Sequence, residues 1–468
     1  MPLKITFLGA ARCVTGSRYL VEGNGTRVLV DCGLHQERPH RERDWAPFPV
    51  RPDSIDAILL THAHLDHSGL LPKLVREGFR GPVYCTMATR EIVQIILLDA
   101  ASLQEEDAEF KKNRHKREGR TVAHPEIPLY TEFDARACFP QLTAVDYGQP
   151  VAIGDGFEAA FFDAGHTLGS AMVRLKVRDG GEERAIVFSG DMGRPGKPIL
   201  RDPTNFREAD YIVVESTYAD RLHEPEEQTI AKLAEAINWT ARAGGNILIP
   251  SFALERSQEV LYYLNRLLLQ SAIPHLAVFL DSPMAISITE LFEQHPELMD
   301  EETRALLRAG RSPFDFAGLH LVRTVDESKA INHIGGTVII IAGSGMCTGG
   351  RIKHHLVANI SRPNSSVLFV GFQANGTLGR EIAGGSPEVR ILGKDYPVHA
   401  RIVQFTGFSG HADQNQLFDW LGRFEKAPRG VFVTHGEETV SEHFAGMVTE
   451  RTGWRVSVPD YGETAELD

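Results

Sequence analysis

Short apolar runs, each closed by a polar or glycine-containing turn, recur along the chain. Val28-Leu29-Val30 precedes Asp31, Ile58-Leu59-Leu60 precedes Thr61, and Phe161-Phe162 precedes the segment DAGHTLGSA. Ala185-Ile186-Val187-Phe188 leads into Ser189-Gly190-Asp191, Tyr211-Ile212-Val213-Val214 ends at Glu215, and Val431-Phe432-Val433-Thr434 ends at His435. Runs this short and this rich in β-branched residues read as buried strands. From about residue 218 the pattern changes to strict alternation: a helix around Glu226 to Arg242, a strand from Asn246 to Pro250, a helix from Leu254 to Leu269 and a strand from Leu276 to Leu280. Strands at Thr337 to Ala342 and Val367 to Gly371, each paired with helical segments, continue it. Such alternation predicts a parallel sheet covered on both faces. From about 402 the first pattern returns, so residues 1–217 and 402–468 read as one domain around an inserted domain at 218–401.

The strand ends carry chemistry. Residues Thr61 to His67, THAHLDH, place three histidines and an aspartate in an H-x-H-x-D-H loop. His62 and His64 alternate along extended backbone and can face one ion, while Asp66 and His67 face a second. Neutral imidazoles and a carboxylate gain little from one another without a cation, so the clustering points to metal rather than to a solvated turn. His166, Asp191 and His435 sit at other strand ends, where α/β sheets commonly place their sites. Singly, each histidine fits an ordinary loop or core position; together with the THAHLDH loop they supply the remaining ligands of a two-metal site.

The set Asp31, His62, His64, Asp66, His67, His166 and Asp191 resembles the metallo-β-lactamase superfamily. Glu215 in VVEST, His411 in GFSGHAD and His435 in VTHGE resemble motifs A, B and C of its β-CASP branch. SFALER (251–256), GSGMCTGGR (343–351) and GFQANGTLGR (371–380) are also β-CASP-like, so the resemblance covers nearly the whole chain. It implies an α/β fold, a metallo-β-lactamase αββα sandwich with an inserted β-CASP domain built on a parallel sheet flanked by helices. It also implies two zinc ions per chain: one on His62, His64 and His166, the other on Asp66, His67 and His435, with Asp191 bridging. Asp31 would orient ligands from just outside them; on local sequence it serves equally as a turn aspartate before Cys32-Gly33. Histidine at motif C characterises the RNA-processing members. With only a short tail after His435, the chain is expected to resemble the compact bacterial β-CASP ribonucleases and the catalytic core of the pre-mRNA 3′-end processing endonuclease.

The activity so implied is hydrolysis of phosphodiester bonds in single-stranded RNA. Hydroxide between the zincs, from water whose pKa falls far below about 15.7, would attack phosphorus in line. His411 would protonate the leaving 3′ oxygen, and Glu215 would hold its ring and favour its charged form. The local alternative for the His411 segment is helix capping, with Asp413 capping a helix that begins near Gln414; both can hold. Glycines 343, 345, 349 and 350, between the strand at 339–342 and a helix beginning near Arg351, free backbone N–H groups for an anion or simply make a tight turn. With Ser251, Ser344 and Gly345, the family pattern places Arg256, Arg351 and Arg380 around the RNA backbone, where guanidinium forks suit phosphate; each arginine also fits a surface ion pair. RNA is expected to thread the cleft between the two domains. Internal cleavage and 5′ exonucleolytic cleavage both remain open. A small-ester hydrolase on the same scaffold would leave the inserted domain, His411 and Glu215 without a role. A non-catalytic RNA-binding scaffold would ordinarily have lost ligands that are all present here.

Composition adjusts this picture. A chain of 468 residues is long enough for two or three globular domains. Its five cysteines, Cys13, Cys32, Cys85, Cys138 and Cys347, are scattered and form no C-x-x-C pair. They suggest neither a disulfide framework nor a cysteine zinc site, and suit a reducing cytoplasm. No stretch approaches the roughly 18 apolar residues of a membrane span, and MPLKITFLGA runs straight into a strand, so secretion and membrane insertion are not expected. The net charge of −13 is unusual for a protein that holds a polyanion. Arginines and cations along the strand path must therefore attract phosphate locally, with bulk repulsion screened beyond about 8–10 Å. The run Lys111-Lys112-Asn113-Arg114-His115-Lys116-Arg117 reads as a solvated helix end. A homodimer is the default expectation for a soluble enzyme.

Overall fold

The computed structural model describes residues 2–37, 39–118, 126–179, 182–374 and 376–468, with backbone alone at 114–118 and 179. The side chains of Arg114 to Arg117 in the basic run, and Asn375 of GFQANGTLGR, lie outside the described residues. The chain forms two compact units. One comprises Met1–Pro195, Asp202–Arg221 and His411–Asp468, the other Gly196–Arg201 and Leu222–Gly410. These breaks differ from the expected 217/218 and 401/402. The strand Arg401–Gln404 pairs in parallel with Ser366–Phe369, so residues 402–410 go with the inserted unit. The segment Gly196–Arg201 joins that unit too: Lys197 Nζ lies 2.8 Å from Glu259 Oε1, and the Ile199 N–H donates to Asp300 Oδ2 at 2.7 Å.

The first unit holds two seven-stranded sheets. Strand side chains alternate between faces, and here the alternation sorts two cores. Ile186, Phe188, Tyr211, Val213 and Phe432 of one sheet pack in a cluster with Ile5, Phe7, Val28 and Val30 of the other. Val187, Ile212, Val214, Val431 and Val433 face the opposite way, against Leu417, Trp420, Phe444 and Val448. These last come from the helices Gln414–Leu421 and Glu438–Thr452. The helix Met87–Glu118 packs along Val83–Thr86 and Leu142–Val145 of the other sheet. Helices therefore cover both outer faces, which gives the αββα order. Each fully buried Val, Ile or Phe contributes about 1.5–3 kcal/mol.

Strand direction positions the site. In one sheet Thr26–Val30, Ala57–Leu59 and Val83–Thr86 run parallel, so Asp31 and the 61–67 loop leave from one edge. In the other, Glu182–Phe188, Tyr211–Glu215 and Gly430–Thr434 run parallel, with Glu215 opposite Thr434. Asp191, Glu215 and His435 consequently emerge side by side. The second unit carries a six-stranded sheet in which every pairing is parallel: Leu319–Leu321, Ala277–Asp281, Val338–Ala342, Ile247–Pro250, Ser366–Phe369 and Arg401–Gln404 in spatial order. Ile247–Pro250 and Val338–Ala342 are buried at every position, the pattern of strands covered on both faces. Among the described residues no helix is long and apolar enough to cross a membrane.

Candidate metal centre

Four side chains from three separate loops converge on one point. His62 Nε2 lies 3.1 Å from His64 Nδ1, and His166 Nε2 lies 3.3 Å from the same atom. Asp191 Oδ2 is 3.4 Å from both His62 Nε2 and His166 Nε2. A tetrahedral ion with bonds of roughly 2.0–2.1 Å holds its ligand atoms about 3.3–3.4 Å apart, so the spacing fits such an ion. Burial pushes these imidazoles down: His62 and His166 fall below the ordinary histidine range and His64 falls to about 3, with neighbouring histidines adding to the effect. That keeps the rings neutral, the form in which a nitrogen lone pair is free to ligate.

A second group adjoins the first through Asp191. Its Oδ1 lies 3.2 Å from His67 Nε2 and 3.5 Å from His435 Nε2; those nitrogens are 3.1 Å apart, and Asp66 Oδ2 is 3.6 Å from His435 Nε2. Asp191 Oδ1 is buried and receives no hydrogen bond from the described residues. A buried carboxylate oxygen left this way is costly, and a cation between it and the ring nitrogens satisfies all of them. Burial works against charge on His67 and His435, but Asp191, with Asp31 for His67 and Asp66 for His435, outweighs it and raises both. The pocket thus attracts positive charge, and its donor set of imidazoles and carboxylates suits zinc and similar divalent ions.

Neighbouring groups fix the ligand rings. Asp31 Oδ2 lies 2.6 Å from His67 Nδ1, so that Nδ1–H donates to it and Nε2 keeps its lone pair for a cation. Asp31 is itself held by the Thr61 N–H at 2.8 Å, Thr61 Oγ1 at 3.0 Å and Ser17 Oγ at 3.1 Å. Thr61 Oγ1 also lies 3.1 Å from His62 Nδ1, Thr217 Oγ1 lies 3.1 Å from His435 Nδ1, and Ser170 Oγ accepts the N–H groups of His166 and Thr167 at 3.1 Å each. Sequence reasoning passed over Thr61, Ser170 and Thr217, although each sits inside a motif it singled out: THAHLDH, DAGHTLGSA and VVEST.

His411 and Glu215 form a pair at the rim of this cluster. His411 Nδ1 is 3.1 Å from each Glu215 carboxylate oxygen, and its Nε2 faces Asp191 Oδ2 at 3.9 Å. Burial pulls the imidazole down, but Glu215, Asp191 and Asp66 together raise it to about 9. Its side chain is 20% exposed, where Glu215 has none, so a substrate can reach the ring but not the carboxylate. Glu215 is fixed in turn by the Met192 N–H at 2.6 Å. Asp413 caps the helix Gln414–Leu421 in a reciprocal box with Gln416, so capping and the His411–Glu215 pair coexist.

The candidate phosphate-binding residues all belong to the second unit, at the C-terminal ends of its parallel strands. Ser251 is buried and bonded to Ser257 Oγ at 3.1 Å. Ser344 Oγ accepts the Thr348 N–H at 3.0 Å, and Gly345 lies so close to the Phe252 ring that a Cβ would stand 2.7 Å from it. Arg256 is buried and ion-paired with Glu259. Arg351 donates to Asp281 Oδ1 at 2.6 Å, Val322 O at 3.1 Å and Arg323 O at 2.7 Å. Arg380 is exposed at the start of the helix Leu378–Ala383. Two of the three arginines therefore already have partners inside their own unit.

Comparison with known proteins matches three successive segments of the chain, whose limits do not coincide with the breaks between the two units. The Metallo-beta-lactamase superfamily matches residues 11–238, the Beta-Casp domain 257–382, and the Zn-dependent metallo-hydrolase RNA specificity domain 395–459. Ribonuclease TTHA0252 of Thermus thermophilus is 41% identical over 461 residues, covering 98% of this chain and 99% of that protein. Transcription termination factor FttA of Methanocaldococcus jannaschii is 31% identical over 458 residues, covering 95% of this chain and 69% of that protein. A crystal structure of a protein of unknown function from Enterococcus faecalis V583 covers 99% of this chain and 100% of its own at 11% identity and a TM-score of 0.53, a likeness of fold alone. The sandwich and its ligand cluster define a metal-dependent hydrolase. The chain belongs to the β-CASP family of RNA-processing nucleases within the metallo-β-lactamase superfamily.

Proposed function

We propose that this metal-dependent ribonuclease binds two zinc ions and hydrolyses phosphodiester bonds of single-stranded RNA with His411 as general acid. The observation that carries the reading is the His411–Glu215 pair, its Nε2 turned toward a cluster of seven ligand side chains. His62, His64 and His166 would hold one ion and Asp66, His67 and His435 the other, with one Asp191 oxygen facing each group. When bound, such ions lower the pKa of water and neutralise charge on phosphate oxygens.

The chain's own residues do the rest. As the P–O3′ bond breaks, His411 gives its Nε2 proton to the departing oxygen, and Glu215 stabilises the charged ring beforehand through the Nδ1–H bond. Asp31 keeps His67 in the tautomer that leaves Nε2 free. Ser251, Arg256, Ser344, Gly345, Arg351 and Arg380 are the proposed RNA-contacting set, with exposed Arg380 the most available. One chain supplies every group the reading uses, so a second copy is not required. A reducing cytoplasm is the proposed setting, in keeping with five free, buried cysteines. The relative named as a ribonuclease supports the substrate class.

The test uses zinc-loaded protein and its His411→Ala variant with internally labelled single-stranded RNA, the matching DNA and a circular RNA. The proposal expects metal-dependent cutting of RNA that slows by about 100- to 10,000-fold in the variant, the range for a lost general acid, at unchanged zinc content. Cutting of the circle would establish endonucleolytic action. Full activity in the variant, or no cutting of RNA by zinc-loaded protein, would sink it.

A further inference from the structure

Residues 10–17 join the strands Lys4–Gly9 and Arg18–Gly23 by a loop whose backbone enters the left-handed region at Ala10 (φ 46°), Arg12 (φ 55°) and Gly16 (φ 84°). Non-glycine residues keep that conformation only where their surroundings over-determine it. Two sets of contacts do so. Arg12 Nη1 reaches Glu438 at 2.9 Å and Glu442 at 2.6 Å, its Nε reaches Asp460 at 2.5 Å, and its Nη2 donates to Val458 O at 3.2 Å. Glu37 Oε1 accepts the N–H groups of Val14 at 2.8 Å and Thr15 at 3.1 Å, and Oε2 accepts from Thr15 Oγ1. His35, held by Asp44 at 2.7 Å, stands against Gly16, where a Cβ would lie 2.7 Å from the ring.

Both ends of this loop grip the Asp66–His67–His435 group. Ala10 O accepts the His435 N–H at 2.8 Å, and the Ser17 N–H donates to Asp66 O at 2.8 Å. Ser17 Oγ donates to the Asp31 carboxylate that orients His67. Glu438 and Glu442 lie on the helix Glu438–Thr452 that follows His435, so Arg12 ties the flank of His435 to the loop that holds Asp66. In the other ligand group His62 takes its support from Thr61, which also donates to Asp31, and His166 from Ser170.

We propose that residues 10–17 are a clamp that positions Asp66, His67 and His435 for the second cation, with Arg12 and Glu37 as its positioning residues. The proposal rests on the two-cation reading. Release of either anchor leaves the first ligand group in place and lets the separation between Asp66 and His435 drift.

Apoprotein prepared by chelation is titrated with Zn2+ against a chromophoric competitor, and zinc per chain is measured by atomic emission. Wild type takes up two equivalents. Arg12→Ala and Glu37→Ala weaken the second step by about 10- to 100-fold, the range for lost groups just outside the ligands, with the first step unchanged. Glu37→Gln, which keeps an acceptor for the Val14 and Thr15 amides, restores the second step. An unchanged second step in both alanine variants, or equal weakening of both steps in a folded variant, overturns the clamp. Uptake of a single equivalent by wild type overturns the two-cation reading and the clamp with it. Circular dichroism identifies folded variants, and the anchors lie at separate places in the chain, so either alanine variant decides the matter if the other does not fold.

Discussion

Replacing Glu215 by glutamine isolates one electrostatic contribution to the chemistry. The Glu215 oxygens lie 3.1 Å from His411 Nδ1, which puts the two charge centres roughly 4 Å apart. At an effective dielectric of about 20, unit charges at that distance interact by about 4 kcal/mol. At about 1.4 kcal/mol per pKa unit, this corresponds to about three units. The imidazole, raised to about 9 with the carboxylate present, therefore falls by about three units without it. A general acid works in its protonated form, so activity is lost as pH rises through this pKa, and the variant loses it at lower pH. At pH 8 the protonated fraction falls to roughly one in a hundred, and kcat/KM falls on the order of 100-fold. Cations held at Asp191 would cancel that carboxylate's part of the upward shift in both proteins, so the difference between them is the quantity to read.

The assay is single-turnover cleavage of labelled single-stranded RNA from pH 5.5 to 9.5, with metal content measured on the same samples. The expected outcome is an alkaline limb displaced downward by two to three units at unchanged metal content. An alkaline limb that stays in place refutes the electrostatic argument. Loss of metal refutes the division of roles instead, because Asp191, Glu215 and His435 also lie close enough together to hold an ion.

Other substitutions test the surroundings. Asp31→Asn removes the charged acceptor 2.6 Å from His67 Nδ1 and should weaken metal binding by about 10- to 100-fold in a competition titration; unchanged affinity would show that ring orientation does not depend on it. Gly33→Ala places a Cβ 1.7 Å from Asp66 O and 2.8 Å from Ser17 N, both backbone atoms, and should cost about 1–3 kcal/mol in denaturant unfolding along with metal occupancy. A variant with normal melting and full metal would contradict that packing. In the second unit Asp281 is fully buried and bonded to Arg351, His355 and Ser328. Asp281→Ala should therefore destabilise the protein by roughly 3–5 kcal/mol in urea unfolding, and a loss below 1 kcal/mol would mean the network relaxes without it.

What could be read from sequence follows from where the chemistry sits. The ligands lie at the ends of apolar strands, and strand ends are marked locally by a hydrophobic run and the polar residue that stops it. Asp31, the THAHLDH loop, Asp191 and His435 were visible on that ground, and so was the parallel sheet of the second unit from its buried runs. Pairings between distant parts of the chain have no such mark. Nothing in the segment ARCVTGSRY announces that Arg12 meets Glu438 and Glu442, or that Tyr19 OH donates to Thr434 Oγ1 at 3.0 Å. The break expected at 401/402 likewise falls inside the strand Arg401–Gln404, whose partner is Ser366–Phe369.

The arginines make the same point for function. A guanidinium suits phosphate and carboxylate equally well, so the sequence of Arg351 alone is consistent with RNA contact and with the Asp281 pair it forms. Clustering is informative when the clustered groups repel or ignore one another, as imidazoles do, because a shared cation then accounts for them. Oppositely charged groups satisfy each other, and their proximity requires no ligand. The metal centre is therefore legible from residue types and spacing, whereas the path proposed for RNA across the second unit depends on which charges the fold leaves unpaired. Among the three arginines the sequence singled out, exposed Arg380 is the first to mutate in mapping that path.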